Sequence, residues 1–207
     1  MKKLALLVSG GGTNMQAIMD ACASGEIDGR IAVVISSNHE AYALVRAQGA
    51  NIPNYVCAKK DYPTVGARDA EILRLLKAYA VDYIVLAGYL GILPREIIAE
   101  YENRIINIHP ALLPKFGGKN YYGIHVHTAV IEAGEEESGA TAHFVSEEVD
   151  GGPIIRQQKM RVHKGDTPQS LQARILDQIE HPMLVSVIKD VCDDKISVVD
   201  GKVIDKD

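Results

Sequence analysis

The chain has 207 residues, 47 % of them hydrophobic, and a formal net charge of −5, which suits one domain with an ample core. The acidic balance gives no reason to expect nucleic acid or an anionic membrane as a partner, and no run approaches the roughly twenty apolar residues of a membrane span. Cys22, Cys57 and Cys192 are odd in number and widely separated. They suggest neither a disulfide framework nor a CxxC metal pair, and point to a reduced, cytoplasmic protein.

The opening Met1 to Gly10 briefly imitates a signal peptide, but its apolar run is short and leads into a Gly-Gly-Gly-Thr-Asn turn, so Leu4 to Val8 reads as a first strand. The pattern then alternates: helix Asn14 to Ala23, strand Ile31 to Ile35, helix Ala41 to Gln48, short strand Asn54 to Cys57, and helix Thr64 to Tyr79. It continues with strand Asp82 to Ala87, a helix near Pro94 to Tyr101, and strand Ile105 to His109. This βα alternation, with near-continuous Val, Ile and Leu in the strands, predicts an α/β fold: a Rossmann-like, open, mostly parallel sheet with helices on both faces. Phe116 to Gly123 reads as a loop, followed by a helix near Val126 to Ala133 and strands near Gly139 to Val145 and Pro153 to Val162. Thr167-Pro168 then opens one long helix to about Val191, and Ile196 to Ile204 forms a small hairpin around Asp200-Gly201.

Several segments carry candidate chemistry. Ser9 to Asn14 joins the first strand to the first helix, where exposed N–H groups and the positive helix end favour an anion such as phosphate. The dinucleotide pattern would need glycine where Met15 stands, and the Walker pattern is absent; glycines there also serve tight packing. Asn107 and His109 share one face at the end of a strand. Asn is a neutral donor that can stabilise an oxyanion, and His can donate a hydrogen bond or shuttle a proton near neutral pH. Asp150, in the turn before Gly151-Gly152, can bring a carboxylate that orients the imidazole and favours its charged form, or can simply form the turn. Leu90 to Leu93 follows a strand near the sheet's carboxyl edge, as an apolar wall for a flat heterocycle or as an ordinary connection. His125 and His127 precede a helical segment without a carboxylate at ligand spacing, so no metal is expected. Tyr121 and Tyr122 suit loop packing or a pocket wall.

Taken in order, Ser9-Gly-Gly-Gly-Thr-Asn14, Val85-Leu-Ala-Gly-Tyr89, Asn107-Ile-His-Pro-Ala-Leu-Leu-Pro114, His143-Phe-Val145 and Asp150-Gly-Gly-Pro-Ile154 are similar to the folate-dependent formyltransferases. Within them the chain resembles the phosphoribosylglycinamide formyltransferases of purine synthesis over nearly its whole length. The resemblance implies transfer of formyl from 10-formyltetrahydrofolate to the amine of glycinamide ribonucleotide, without metal. It implies one formyltransferase domain over 1–207, with a phosphate-binding half to about 105, a catalytic and folate half from about 106, and a C-terminal extension holding the late helix. By motif, Gly12, Thr13 and Asn14 would hold the ribonucleotide phosphate and Glu180 would contact that substrate. Leu90, Gly91, Ile92 and Leu93, with Ser146, Glu147, Glu148, Val149 and Asn107, would hold the folate. Asn107 and His109 would stabilise the oxyanion, with Asp150 keeping His109 protonated and oriented. The implied assembly is a monomer or homodimer.

The chain departs from some members at Gly91, where they carry a larger basic residue, and at Val65, near the place of an arginine that Arg68 would replace. Its 116–127 stretch is also longer. A methionyl-tRNA formyltransferase would need a further tRNA-binding domain after the catalytic one, and a formyltetrahydrofolate deformylase a regulatory domain before it. A non-catalytic folate- or phosphoribosyl-binding module is the remaining alternative.

Overall fold

The computed structural model describes residues 1–206. Its first strand, β1 (Lys2–Val8), sends Leu4, Leu6 and Val8 into one core and Ala5 and Leu7 into another. A strand covered on both faces has no use for polar side chains, which is why its buried part, Leu4 to Val8, is an unbroken apolar run. Six further strands join it: β2 (Gly29–Ser36), β3 (Asn54–Val56), β4 (Tyr83–Leu86), β5 (Ile105–His109), β6 (Glu137–Phe144) and β7 (Ile154–Arg161). The order is β3-β2-β1-β4-β5-β6-β7, with β1 to β5 parallel to one another and the β5–β6 and β6–β7 pairs antiparallel. The expected mostly parallel α/β sheet is therefore present. Its connections reverse direction between β1 and β4, the place where open α/β sheets form a crevice beyond their carboxyl ends.

The larger core packs α1 (Thr13–Ala23), α5 (Ile124–Glu132), α6 (Pro168–Ile175) and α7 (His181–Cys192) on the face of Leu4 and Leu6, through Met15, Ile18, Val130, Leu171, Leu184 and Ile188. The smaller core packs Ile72, Leu75 and Leu76 of α3 (Val65–Ala78) and Ile97 of α4 (Arg95–Glu100) on the opposite face. A further helix, α2 (Tyr42–Gly49), leads from β2 to β3. α3 begins at Thr64, whose hydroxyl accepts from the Ala67 N–H at 3.1 Å, and α6 begins at the expected Thr167-Pro168 pair, with a reciprocal Thr167–Ser170 cap.

The late helix is not regular throughout. Between α6 and α7, residues Leu176–Glu180 form a π turn in which the His181 N–H reaches back to the Leu176 carbonyl. Pro182 has no N–H to continue the ordinary ladder, and the slip to a wider turn accommodates it. The tail forms the expected hairpin, β8 (Ile196–Val199) and β9 (Lys202–Asp205), around Asp200 and Gly201, which both have positive φ. Among the described residues no helix is long and apolar enough to cross a membrane, and all three cysteines are free.

Candidate active site

Three connections leave the carboxyl ends of β1, β4 and β5. In the first, Gly12 has φ +72°, and a Cβ on it would lie 2.7 Å from the Ala43 Cβ, so glycine is required for the close approach of α2. This packing role is compatible with the expected anion role. No side chain caps α1 and no acidic residue lies in its first turn, so the N–H groups at Thr13 and Asn14 are open to a negative ligand.

Asn14 and Glu180 meet although they are far apart in sequence. The Asn14 Nδ2 donates to Glu180 Oε2 at 2.9 Å. Burial pushes the Glu180 carboxyl up to about 6, against the opposing effect of the Asn14 hydrogen bond. The π turn places this carboxylate against α1. Ser9 ties the same region to the connection after β4, its hydroxyl accepting from the Leu90 N–H at 2.8 Å.

At the end of β5, Asn107 and His109 share a face with Ile105, while Ile106 and Ile108 point into the larger core. Asp150 reaches both of them. Its Oδ1 lies 3.5 Å from Asn107 Nδ2 and its Oδ2 lies 3.5 Å from His109 Nδ1. These distances are at the edge of hydrogen bonding. A shorter bond goes to the 116–123 loop, where the Gly118 N–H donates to Asp150 Oδ2 at 2.9 Å. Asp150 takes a positive φ of 57° at this turn, a conformation Asp tolerates. Burial alone would raise its carboxyl, but the His143 and His109 rings and the Gly118 N–H outweigh burial and hold it below the usual carboxylate range.

His109 is buried against Asp150 and the 116–123 loop. Burial pulls its pKa below the ordinary histidine value, despite the opposing pull of Asp150 and of the Phe116 carbonyl. Its Nε2 faces the Phe116 carbonyl oxygen at 2.7 Å, so Nε2 carries a proton and donates it to that carbonyl.

The site has a fourth member, His143. On β6 it stands directly opposite Asn107 in the antiparallel ladder. Its Nδ1 donates to the Phe144 carbonyl at 2.9 Å, leaving Nε2 to accept from Asn107 Nδ2 at 3.1 Å. This fixes which end of the Asn107 side chain is the donor. The His143 motif was visible in the sequence, but its contact with Asn107 depends on the β5–β6 register.

These residues form one end of a cavity of about 360 Å³ lined by Tyr89, Leu90, Gly91, Ile92, Leu93 and the 146–150 turn, with Tyr121 and Lys119 from the loop. Leu90 and Ile92 are 63 % and 69 % exposed at its wall, and the Tyr89 hydroxyl is buried without a partner. Apolar walls with an unpaired buried hydroxyl suit a flat, polar-edged heterocycle. Gly91 now has a physical reason: a Cβ there would lie 2.6 Å from the Tyr89 ring. Arg68 is buried and paired with Asp69 and does not line the cavity. The cation that reaches the cavity turn is Arg95, whose Nε meets Glu147 Oε1 at 2.8 Å. Gly12, Thr13, Asn14 and Glu180 lie outside this cavity.

The three histidines considered for metal do not converge. His125 is exposed and lies edge-on to Tyr122, whereas His127 is wholly buried with both ring nitrogens unpartnered. Among the described residues no group of three or more His, Cys, Asp or Glu side chains has an arrangement able to hold a metal ion.

Residues 2–188 match the formyl transferase family. The phosphoribosylglycinamide formyltransferase of Haemophilus influenzae is 43 % identical over an alignment covering 100 % of this chain and 97 % of the relative. The crystal structure of glycinamide ribonucleotide transformylase 1 from Symbiobacterium toebii superposes with a TM-score of 0.93 at 39 % identity, covering 100 % of this chain and 95 % of that one. A formyltetrahydrofolate deformylase from Pseudomonas syringae pv. tomato is also similar, with a TM-score of 0.89 at 30 % identity, but this chain covers only 66 % of it. The chain belongs to the formyl transferase family, in the group of the phosphoribosylglycinamide formyltransferases.

Proposed function

We propose that the protein transfers the formyl group of 10-formyltetrahydrofolate to the primary amine of glycinamide ribonucleotide, a step of purine synthesis. The observation that carries this reading is the meeting of Asn107, His109 and Asp150 at the end of a cavity with apolar walls. The whole chain acts as one formyltransferase domain. The N–H groups of Gly12, Thr13 and Asn14 receive the ribonucleotide phosphate, and Glu180 accepts hydrogen bonds from that substrate. Leu90 to Leu93 and the Ser146 to Asp150 turn flank the pterin, with Lys119 and Arg95 as cations for the acidic tail of the folate. Three free cysteines support a reducing, cytoplasmic setting.

As the amine nitrogen attacks the formyl carbon, a C–N bond forms and the carbonyl electron pair moves onto oxygen. The Asn107 Nδ2 and His109 Nε2 hydrogens are the donors placed for that oxygen. In the resting protein the Phe116 carbonyl already accepts the His109 hydrogen, so the formyl oxygen takes over a bond that the loop otherwise occupies. The ionised Asp150, facing Nδ1, favours the imidazolium form of His109, and that form is the stronger donor to the developing oxyanion. Breaking the bond between the formyl carbon and the folate nitrogen returns the electron pair to that nitrogen. The proton lost by the amine travels to it through water.

The test is an assay with purified protein, with and without the ribonucleotide and with and without a chelator. Formyl transfer that requires the ribonucleotide and survives chelation is expected. Folate consumption independent of the ribonucleotide would instead identify a deformylase.

A further inference from the structure

Phe116 connects the site to a second cavity. Its carbonyl holds the His109 Nε2 hydrogen, and its ring lies edge-on to Tyr121, a wall of the folate-side cavity, at a centroid distance of 6.0 Å. The same residue has φ +53° and also lines a separate crevice of about 260 Å³ that shares no lining residue with the first cavity.

The chemistry of this crevice is specific. Leu112, Phe116 and Val130 give it apolar walls. Ser138 also lines it, only 2 % exposed and with a hydroxyl that has no hydrogen-bond partner. An unpaired buried hydroxyl is unfavourable, and a ligand group that bonds it removes that cost. The remaining lining residues are two carboxylates, Glu135 and Glu137, against one ammonium, Lys115. Lys115 is engaged with both Glu135 oxygens, at 2.9 and 3.1 Å. Glu137 pairs with Lys159 at 2.9 Å, but these side chains are 52 % and 67 % exposed, and such solvent-exposed pairs exchange readily. The crevice thus presents apolar walls, an unpaired hydroxyl and an available carboxylate.

We propose that this crevice is a binding site for a small organic cation, an ammonium carried on a compact apolar body, and that its occupation slows formyl transfer by fastening Phe116 in place. The apolar body lies between Leu112, Phe116 and Val130, while the ammonium meets Glu137 and the Ser138 hydroxyl. With Phe116 held, its carbonyl keeps the His109 hydrogen that the formyl oxygen must accept. The effect on turnover rests on the proposed role of His109; the binding does not.

The probe is benzylamine, compared with neutral benzyl alcohol and anionic benzoate, added to the whole chain and followed by amide NMR shifts. Saturable shifts at Phe116, Val130 and Ser138 are expected with benzylamine, and at least tenfold weaker binding with the other two. Glu137→Gln, at an exposed position, weakens benzylamine at least fivefold, and Ser138→Val abolishes its binding. Turnover at saturating substrates falls in step with occupancy in the wild type and is unchanged at the same concentration in Glu137→Gln. Absence of saturable shifts, shifts confined to Leu90–Leu93 and Tyr121, equal binding of all three probes, or full occupancy with unaltered turnover would each overturn the proposal. A chain with no formyl transfer at all refutes the proposed function instead, while the shifts still decide whether the crevice binds.

Discussion

Asp150 places one carboxylate against an amide, two imidazoles and a loop N–H. Its replacement by Asn keeps the shape and removes the charge that would support His109 as the formyl oxygen becomes negative. Asp150→Asn is therefore expected to lower kcat by about 10²–10⁴-fold with an unchanged circular dichroism spectrum; wild-type turnover would remove Asp150 from the mechanism. Glu180 titrates in the opposite direction. Its folded pKa, about 6, is raised from 4.5, so its favourable contribution to stability is fully present below the lower value and lost as pH rises through about 6. The neutral variant Glu180→Gln should gain stability relative to the wild type between pH 5 and pH 8, by about 2 kcal/mol, as read by urea unfolding. The same substitution should raise KM for the ribonucleotide and abolish an inflection near pH 6 in its kcat/KM.

Among the elements, the β1–α1 turn combines packing with the proposed phosphate binding. Gly12→Ala forces a left-handed alanine and a Cβ against Ala43, costing about 1–3 kcal/mol and raising KM for the ribonucleotide more than for the folate. Thr64→Ala, at the cap of α3 away from the site, should lose about 1 kcal/mol with no change in either KM. If both substitutions shift KM equally, the turn has no special role in binding. Elements of this kind were legible in the sequence because each carries its own signal: apolar runs for β1, β2 and β4, and Thr64 and Thr167-Pro168 for helix starts. Asn107, His109 and Asp150 were legible through their motifs. The bond between His143 and Asn107 was not, because it depends on which residues oppose one another across β5 and β6. Pro182 was a visible signal for the π turn, yet helical periodicity alone favoured one uninterrupted helix.

For the whole molecule, one sheet carries both the β1–α1 turn and the cavity beyond β4 and β5, and the two cores lie on its opposite faces. Ligands that bind only this folded arrangement raise its stability by about 2.7 kcal/mol at a hundredfold excess over Kd. Thermal melts with both substrate analogues should shift upward as a single transition; separate transitions would show that the two halves unfold independently. The burial of His109 was not legible from its neighbours in sequence. It is imposed by the complete molecule, and it pulls the imidazole pKa down against the effect of the nearby carboxylate.

The Asn14–Glu180 hydrogen bond spans 166 positions of the chain, and this has a consequence for biosynthesis. A nascent chain emerging from the ribosome displays the glycine turn early, but without the late helical run that turn lacks its carboxylate partner. Partial chains can thus form much of the sheet before this contact exists, and the proposed acceptor site is completed only once residue 180 has been added.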